Sequence, residues 1–584
     1  MNPRRGGGAL GRRVATVERR GRFKLAEPLF ERGPRVALAR GSIDLGPGEI
    51  GLVDFGPGGA RALRALGSAE SARDVVAALL WDRGLDRGFT AGLESEADDA
   101  AVAARDAPLA RRDLAHLATF TVDPATARDF DDAVSAETEG DGIRLWIHIA
   151  DVAAHVRPGG GLDSEALSRG TSTYVPGAVE PMLPEALSDA ACSLAPGVDR
   201  LAVTAEIVLS PDGEPRSTSF YRSRIRSDAR LDYDQLDEFF AGRAQPPREV
   251  AGPLGLARRS AAALAARRPV GALEIESFEP EFSFDAGGNV TGARSVPQTE
   301  AHKLIEHLMI LTNERVAQLC EQRRIPTLYR VHEQPEPQRI AFLVEQLAAL
   351  DVPTPPLPER LSPSQAGELA GEISRSVARE AARRGHGRDA YTSLVLRSLK
   401  QAYYSERNLW HAGLGSFAYA HFTSPIRRYP DLVAHRSLLS AVGAGEDEPD
   451  PGAVSDAGWR CSEREREATA TERYADRVCA SFLLGRELFE SGWKRSFEGE
   501  ISGVIRAGAF VRFGGELGDA YEGLLPVRML REERFDLNQT ETALVGQRSG
   551  RALRLGDPIT VRVDSVDAPH GRVDLVPAEG DDDG

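Results

Sequence analysis

Thr121-Val-Asp-Pro-Ala-Thr-Ala-Arg-Asp-Phe-Asp-Asp-Ala-Val134 carries the strongest chemical signal in the chain. It holds four aspartates, Asp123, Asp129, Asp131 and Asp132, bracketed by the apolar residues Phe120, Val122, Phe130 and Val134. Exposed acidic runs lack such brackets. Asp129 and Asp131 are two apart, so in an extended segment they point to one side, and Asp132 points away unless the chain bends there. Pro124 makes a turn that can bring Asp123 back toward the others. Carboxylates held together repel, and only protons or cations offset the cost. Mg²⁺ suits the donors: it is hard, takes oxygen ligands, and commonly uses one or two carboxylates plus a substrate phosphate. The Gly and the closing Glu of a calcium EF-hand loop are missing. A solvated loop capping a helix would account for one Asp-Asp pair, not for this set.

Around this stretch the pattern is mixed α and β. Strands are expected at 145–149 and 201–209, an amphipathic helix at 300–320 with Leu304, Leu308 and Leu311 on one side, and further helices at 363–383, 390–405 and 462–489. This block, 113–490, reads as one large domain. Before it, residues 20–65 look like short strands broken by Gly and Pro, which suggests a small β-barrel, and 69–105 read as helix, with the acidic stretch 94–106 as a linker. After it, strands at 497–504, 509–513, 522–525 and 559–566, punctuated by Gly499, Gly503, Gly508 and Gly523, suggest a five-stranded barrel of the OB type, a fold that often binds single-stranded nucleic acid.

Composition limits the classes. The chain has 584 residues, enough for three to four domains of about 150 residues. Hydrophobic content of 41% supplies a core, so wholesale disorder is excluded. The net charge of −16 argues weakly against a nucleic-acid binder, but binding follows the local field of a cleft, and a bound cation adds charge that the count omits. Cys192, Cys320, Cys461 and Cys479 have no zinc-like spacing and read as reduced, buried thiols of a cytoplasmic protein. The first 20 residues are basic and Gly-rich without an apolar stretch, so they are no secretory signal, and no segment is apolar enough to span a membrane.

Phe120–Ser135 resembles the catalytic segment of the ribonuclease II / ribonuclease R family. The resemblance continues through Leu145-Trp-Ile-His-Ile-Ala-Asp-Val-Ala-Ala-His155, Thr173-Tyr-Val-Pro-Gly177 and Met182-Leu-Pro-Glu-Ala-Leu-Ser188. It recurs at Ala301-His-Lys-Leu-Ile-Glu306, Tyr329-Arg-Val-His332 and Ala420-His-Phe-Thr-Ser-Pro-Ile-Arg-Arg-Tyr-Pro-Asp431, all in family order. The segment 499–525 looks like an S1 RNA-binding domain.

The resemblance implies a multidomain α+β fold. Residues 1–68 would form a short cold-shock/OB-like barrel with a disordered basic N-terminus, and 69–112 a helical linker region. The RNB catalytic domain would span 113–490, the S1 barrel 495–578, and an acidic tail 579–584. It implies a processive 3′-to-5′ exoribonuclease that hydrolyses single-stranded RNA to nucleoside 5′-monophosphates with Mg²⁺, or Mn²⁺ in its place. The protein would be a monomer acting in RNA turnover in the cytoplasm. By position, Asp123 and Asp132 match direct metal ligands, Asp131 a ligand of a second metal or of the attacking water, and Asp129 a residue that holds the site. Arg427 matches the arginine at the scissile phosphate, where a positive group stabilises developing charge. Tyr174 matches an aromatic that stacks near the 3′-terminal nucleotides, with Phe282 as its partner and Phe284 as the alternative. Tyr233 matches a residue nearer the RNA entrance, and Glu472 a carboxylate at the 3′-terminal ribose. His302, His307, His332, His421 and His435 are dispersed and none is assigned to metal; His302 and Glu306, at helical spacing, read as structural.

Two features depart from the ribonuclease R pattern. The N-terminal region has room for one barrel rather than two, and the tail is acidic rather than Lys-rich. Both bear on duplex unwinding and neither touches the catalytic residues. Two other readings remain: a catalytically silent RNA-binding regulator on the same fold, and a metal phosphodiesterase acting on a small nucleotide. Retention of all four aspartates and Arg427 counts against the first, and the terminal barrel against the second.

Overall fold

The computed structural model describes residues 11–578 except 86–87, 107–108, 269–272, 274–278, 359, 516–517 and 531–532. The first ten residues and the tail 579–584 therefore lie outside the described residues. The chain is a multidomain α+β protein with an N-terminal five-stranded sheet, a seven-stranded sheet in the middle and a closed five-stranded barrel at the C-terminal end.

The N-terminal strands run, in spatial order, Val36–Ala37, Phe23–Pro28, Gly11–Arg20, Glu49–Gly56 and Gly59–Ser68. A bridge between Leu38 and Ala60 joins the two edges. The first strand reaches back to Gly11, well before the expected start near residue 20. It buries both faces: Ala15 and Val17 enter the small core with Val53 and Phe55, while Val14 joins the cluster of the helix Ala72–Asp82. The flanking arginines hide this alternation in the sequence.

The stretch 94–106, expected as a linker, belongs to the helix Ala91–Asp106. Ala97, Ala100, Ala101 and Ala104 recur at helical spacing; Ala97 is fully buried against the central domain and Ala100 and Ala101 pack beside it. Alanine gives too weak an apolar stripe to stand out among acids. Glu96 ties the helix down by accepting from the Leu162 N–H at 3.1 Å.

The central sheet runs Ala229–Leu231, Thr119–Val122, Asp132–Glu139, Gly142–Ala150, Asp199–Leu209, Pro215–Arg226 and Arg112–Asp113. The middle strands pair antiparallel and both edge strands parallel. Helices Ala251–Ala266, Glu300–Arg323 and Tyr429–Ala441 share its core. One buried charge network crosses this core: Asp151 takes Arg222 at 2.7 Å and Arg111 at 2.8 Å, and Arg222 also reaches Glu446 at 2.5 Å and the Ala444 carbonyl at 2.9 Å.

His148 lies in the middle of the sheet between Ser135 Oγ at 3.2 Å and Thr204 Oγ1 at 2.9 Å. Burial pushes its imidazole down to about 3, so it stays neutral when folded. An unfolded His takes a proton near pH ~6.5. The share of stability contributed by His148 is thus full above that pH and is lost as pH falls through the acid range. Urea unfolding should show the stability gap between wild type and His148→Asn shrinking by up to ~1.4 kcal/mol per pH unit below 6.5. A gap that is constant from pH 7.5 to 5 would contradict this.

Two helix expectations change. The helix Arg388–Ser398 stops short of the expected 405, and Tyr403–Ser405 is a strand paired with Tyr329–Val331. Leu399 is already extended, and the Tyr404 N–H donates to Ser462 Oγ at 2.9 Å, so tertiary pairing overrides local helical pattern. The last helix runs Pro451–Ser491 rather than 462–489. Asp450 caps it and Pro451 starts it; two early glycines obscured this turn, and Gly458 sits where a Cβ would stand 2.9 Å from Leu328 and 3.2 Å from the Tyr404 carbonyl.

The C-terminal barrel closes in the order Ser496–Ile505, Gly508–Gly515, Gly518–Pro526, Arg572–Pro577 and Pro558–Asp567. By position in the chain this is the strand order of the N-terminal sheet. A three-stranded sheet, Phe535–Leu537, Ala543–Gly546 and Ala552–Arg554, is inserted before the last two strands and was not read from the sequence. The four cysteines are buried and unpaired.

Candidate active site

The acidic stretch leaves one strand of the central sheet and enters the next. Asp123 follows the strand Thr119–Val122, and its N–H donates to the Leu231 carbonyl at 3.2 Å. Pro124 opens a turn closed by the Ala127 N–H on its carbonyl at 3.0 Å. Arg230 grips the turn from below, donating to the carbonyls of Pro124 at 2.9 Å and Ala125 at 2.7 Å. The buried Phe130 anchors the far end, its N–H on Ser193 Oγ at 3.1 Å. Asp132 then begins the next strand.

The turn makes the bend that Asp132 needed. Asp123 feels the charges of Asp132 and Asp129, and Asp131 that of Asp129. Burial and those two neighbours push Asp123 up to about 8. Burial pushes Asp132 up to about 7 against the pull of Arg427 and Arg428, and raises Asp131 against Arg427 and the Ile426 N–H. Asp131 Oδ1 accepts that N–H at 2.8 Å, and Arg427 Nε lies 3.5 Å from Asp131 Oδ2. Arg427 also donates to Ser424 Oγ at 3.1 Å, and its side chain is 42% exposed, so it can still meet a substrate.

Among the described residues, no three His, Cys, Asp or Glu side chains are already gathered as a metal-ligand set. The carboxylates nevertheless fit a divalent cation. All donors are hard oxygens; Asp123 Oδ2 is buried without a hydrogen-bond partner, and Asp131 Oδ2 has only the Arg427 Nε at 3.5 Å. Such orphaned buried acceptors are costly unless a cation or proton meets them. A site of one or two carboxylates completed by phosphate and water does not need a third side chain beforehand.

The aromatic and ribose candidates fall beside this cluster. The Tyr174 hydroxyl donates to Asp129 Oδ2 at 3.0 Å, and its N–H donates to Glu472 Oε1 at 2.9 Å. One residue thus links the acidic turn to the middle of the long helix. The segment before it is laced to the arginine motif by the Ser172 N–H on the Arg427 carbonyl at 2.9 Å. Tyr174 keeps 39% of its surface exposed. Phe282 and Phe284 lie in the strand Glu279–Phe284. It is Phe284 that lies against Gly177, in the turn following Tyr174, where a Cβ would stand 3.4 Å from its ring. Tyr233 opens the helix that follows Leu231, and Asp132 and Asp123 are the charges that act most on its hydroxyl.

Three supports escaped the sequence reading. Arg230 holds the turn. Asp431 holds the arginine motif, accepting from the Ser424 N–H and from Arg428, both at 2.8 Å. His302, assigned to structure, stacks on Tyr233 with ring centroids 4.0 Å apart and planes 10° from parallel. Asp431 and His302 each stand in a quoted motif, Ala420–Asp431 and Ala301–Glu306, but neither motif shows what its residue touches.

The RNB domain family model matches residues 111–444, more than half of the chain and the whole acidic cluster with Arg427. The chain belongs to the RNB domain family. Ribonuclease R of Escherichia coli (strain K12) is 36% identical over 517 residues, covering 85% of this chain and 60% of that protein. Ribonuclease R of Aquifex aeolicus (strain VF5) is 36% identical over 474 residues, covering 80% and 64%. The chain therefore spans about 60% of the length of the curated relatives it matches. The structure of Mycoplasma genitalium RNase R in complex with ribose-methylated single-stranded RNA superposes with a TM-score of 0.84 at 25% identity, covering 97% of this chain and 89% of that one. Yeast Ssd1, described as a pseudonuclease, superposes with a TM-score of 0.66 at 16% identity, covering 93% of this chain and 68% of that one. Among the described residues of this RNB protein, no helix is long and apolar enough to cross a membrane.

Proposed function

We propose that this RNB protein is a processive, Mg²⁺-dependent 3′-to-5′ exoribonuclease. It releases nucleoside 5′-monophosphates from single-stranded RNA and acts as a monomer in cytoplasmic RNA turnover. One observation carries the reading: four carboxylates gather around one turn with a half-exposed guanidinium against them, and Tyr174 joins them to Glu472. The ribonuclease R relatives support the reaction class.

Asp123 and Asp132 would hold the cation, with Asp131 serving a second ion or the attacking water and Asp129 holding the site. A bound Mg²⁺ supplies phosphate orientation and a water acidic enough to attack near neutral pH. The chain's own groups do the rest. Arg427 faces the phosphate and offsets charge that builds on its oxygens, held in place by Asp131 and Ser424. Tyr174 stacks on a terminal base, opposite Phe282 or Phe284, and every base offers it a π-face. Glu472 sits where a 3′-terminal ribose hydroxyl would be read, and that hydroxyl separates RNA from DNA. Tyr233 would meet the strand nearer the RNA entrance. The barrels guide a single strand in.

Labelled single-stranded RNA, a duplex with a 3′ overhang and single-stranded DNA, each with and without Mg²⁺, test the reading. The expected result is mononucleotides and one short end fragment from single-stranded RNA, with few intermediate lengths, and only when Mg²⁺ is present. Intact RNA, or mononucleotides without a divalent cation, would overturn it. Tyr174→Ala should raise KM for a long RNA by about 5- to 150-fold, the loss of one base stack. An unchanged KM would remove Tyr174 from the substrate.

A further inference from the structure

Tyr233 and His302 each lie in the first turn of a helix, Tyr233 of Tyr233–Phe240 and His302 of Glu300–Arg323. Both helix starts are tightly built. Asp232 and Gln235 form a capping box around the first. At the second, Thr299 Oγ1 lies 2.8 Å from His302 Nδ1 and the Thr299 N–H donates to the same nitrogen at 3.4 Å. The two starts are tied together by the Ala301 N–H on Asp237 Oδ1 at 3.4 Å. The rings then meet face to face, 4.0 Å apart and 10° from parallel. Tyr233 stands two residues after Leu231, whose carbonyl accepts the Asp123 N–H at 3.2 Å, so its helix starts beside the Asp123–Asp132 pair.

We infer that His302 is a positioning residue for catalysis: its imidazole plane fixes the Tyr233 ring so that the phenol points at the Asp123–Asp132 pair and the RNA held there. The inference rests on the nuclease reading above. The physical case has three parts. A Tyr ring at the start of a helix is free to turn about χ1 and χ2 unless a flat partner limits it, and near-parallel stacking limits both. His302 is itself locked, because Thr299 occupies Nδ1, so the ring plane is set by the helix cap. The phenol carries one O–H that can donate to the substrate. Alignment of such a donor matters steeply, since a reacting group displaced by a fraction of an ångström loses much of its effect.

His302 has two separable duties, and two substitutions separate them. His302→Phe keeps a flat ring for the stack and loses the Nδ1 contact at the cap. His302→Asn keeps an acceptor for the cap and loses the stack. If the stack is what matters, His302→Phe retains activity near wild type, while His302→Asn loses kcat/KM by about threefold to tenfold, the scale of one aromatic pair. If the cap alone matters, the order reverses, and thermal melting follows it. A double-mutant cycle decides the route: in a Tyr233→Ala background, His302→Asn should have no further effect on kcat/KM. Full additivity of the two substitutions, or loss in His302→Phe with retention in His302→Asn, would overturn the inference. Absence of RNA hydrolysis by the wild type with Mg²⁺ would instead overturn the nuclease reading, so the two failures are distinguishable.

Discussion

Asp132→Asn is expected to lower single-turnover RNA hydrolysis by at least ~10³-fold while leaving RNA bound. The loss follows from removing a charged ligand at the point where phosphate charge is gathered, a place where even a single neutral donor contributes about 10²–10³-fold. Binding survives because the amide removes one negative charge from a pocket that must admit a polyanion. The fold survives too: ionised Asp132 is a buried carboxylate whose burial disfavours its charge, so the amide relieves a cost that the native chain carries without a cation. A thermal midpoint equal to or above wild type, an RNA Kd equal to or below it, and the collapse in rate form one signature. Rates within tenfold of wild type would remove Asp132 from the cation site. A midpoint many degrees lower would show that Asp132 holds the fold rather than the chemistry.

Arg222→Met is the largest stability effect expected. Arg222 is wholly buried and meets Asp151, Glu446 and the Ala444 carbonyl, which lies beyond the helix Tyr429–Ala441. Methionine fills much of the volume but leaves Asp151 with Arg111 alone and Glu446 with no cation from this network. Breaking a buried pair from one side costs about 3–5 kcal/mol. Hydrogen exchange in the strands Gly142–Ala150 and Asp199–Leu209 should accelerate by the matching factor. Protection within about 1 kcal/mol of wild type would show that water reaches this network.

The two effects lie on one sheet, and they show what could be read from the chain beforehand. The acidic cluster was legible because its chemistry is written as residue types in a single short stretch, and repulsion among them has few structural uses. Arg427 was legible through its motif. Phe282 against Phe284 was not settled by spacing, since a register irregularity at Ser283 and Phe284 shifts which ring meets the turn after Tyr174. The stack of Tyr233 on His302 joins residues far apart in sequence, and nothing local marks either as the other's partner. Arg230 is the same case: an ordinary arginine in sequence, and in the fold the clamp on two carbonyls of the acidic turn. Among the elements, strongly periodic helices such as Glu300–Arg323 were read well. The alanine stripe of Ala91–Asp106, the arginine-flanked first strand and the glycine-bearing start of the last helix carry weak local patterns that only tertiary packing completes.

That last helix acts as a spar. Its 41 residues run unbroken from beneath the arginine motif to the terminal barrel, whose core its last turns share. Glu472 marks a point along it, and the barrel begins where it ends, about 28 Å further on at 1.5 Å per residue. A rigid rod fixes this separation, so the grip of the barrel on a strand being consumed should be lost at one particular strand length. Digestion would then slow abruptly at a single short fragment instead of tapering through a range, and a glycine pair placed in the rod between Glu472 and the barrel should blur that endpoint.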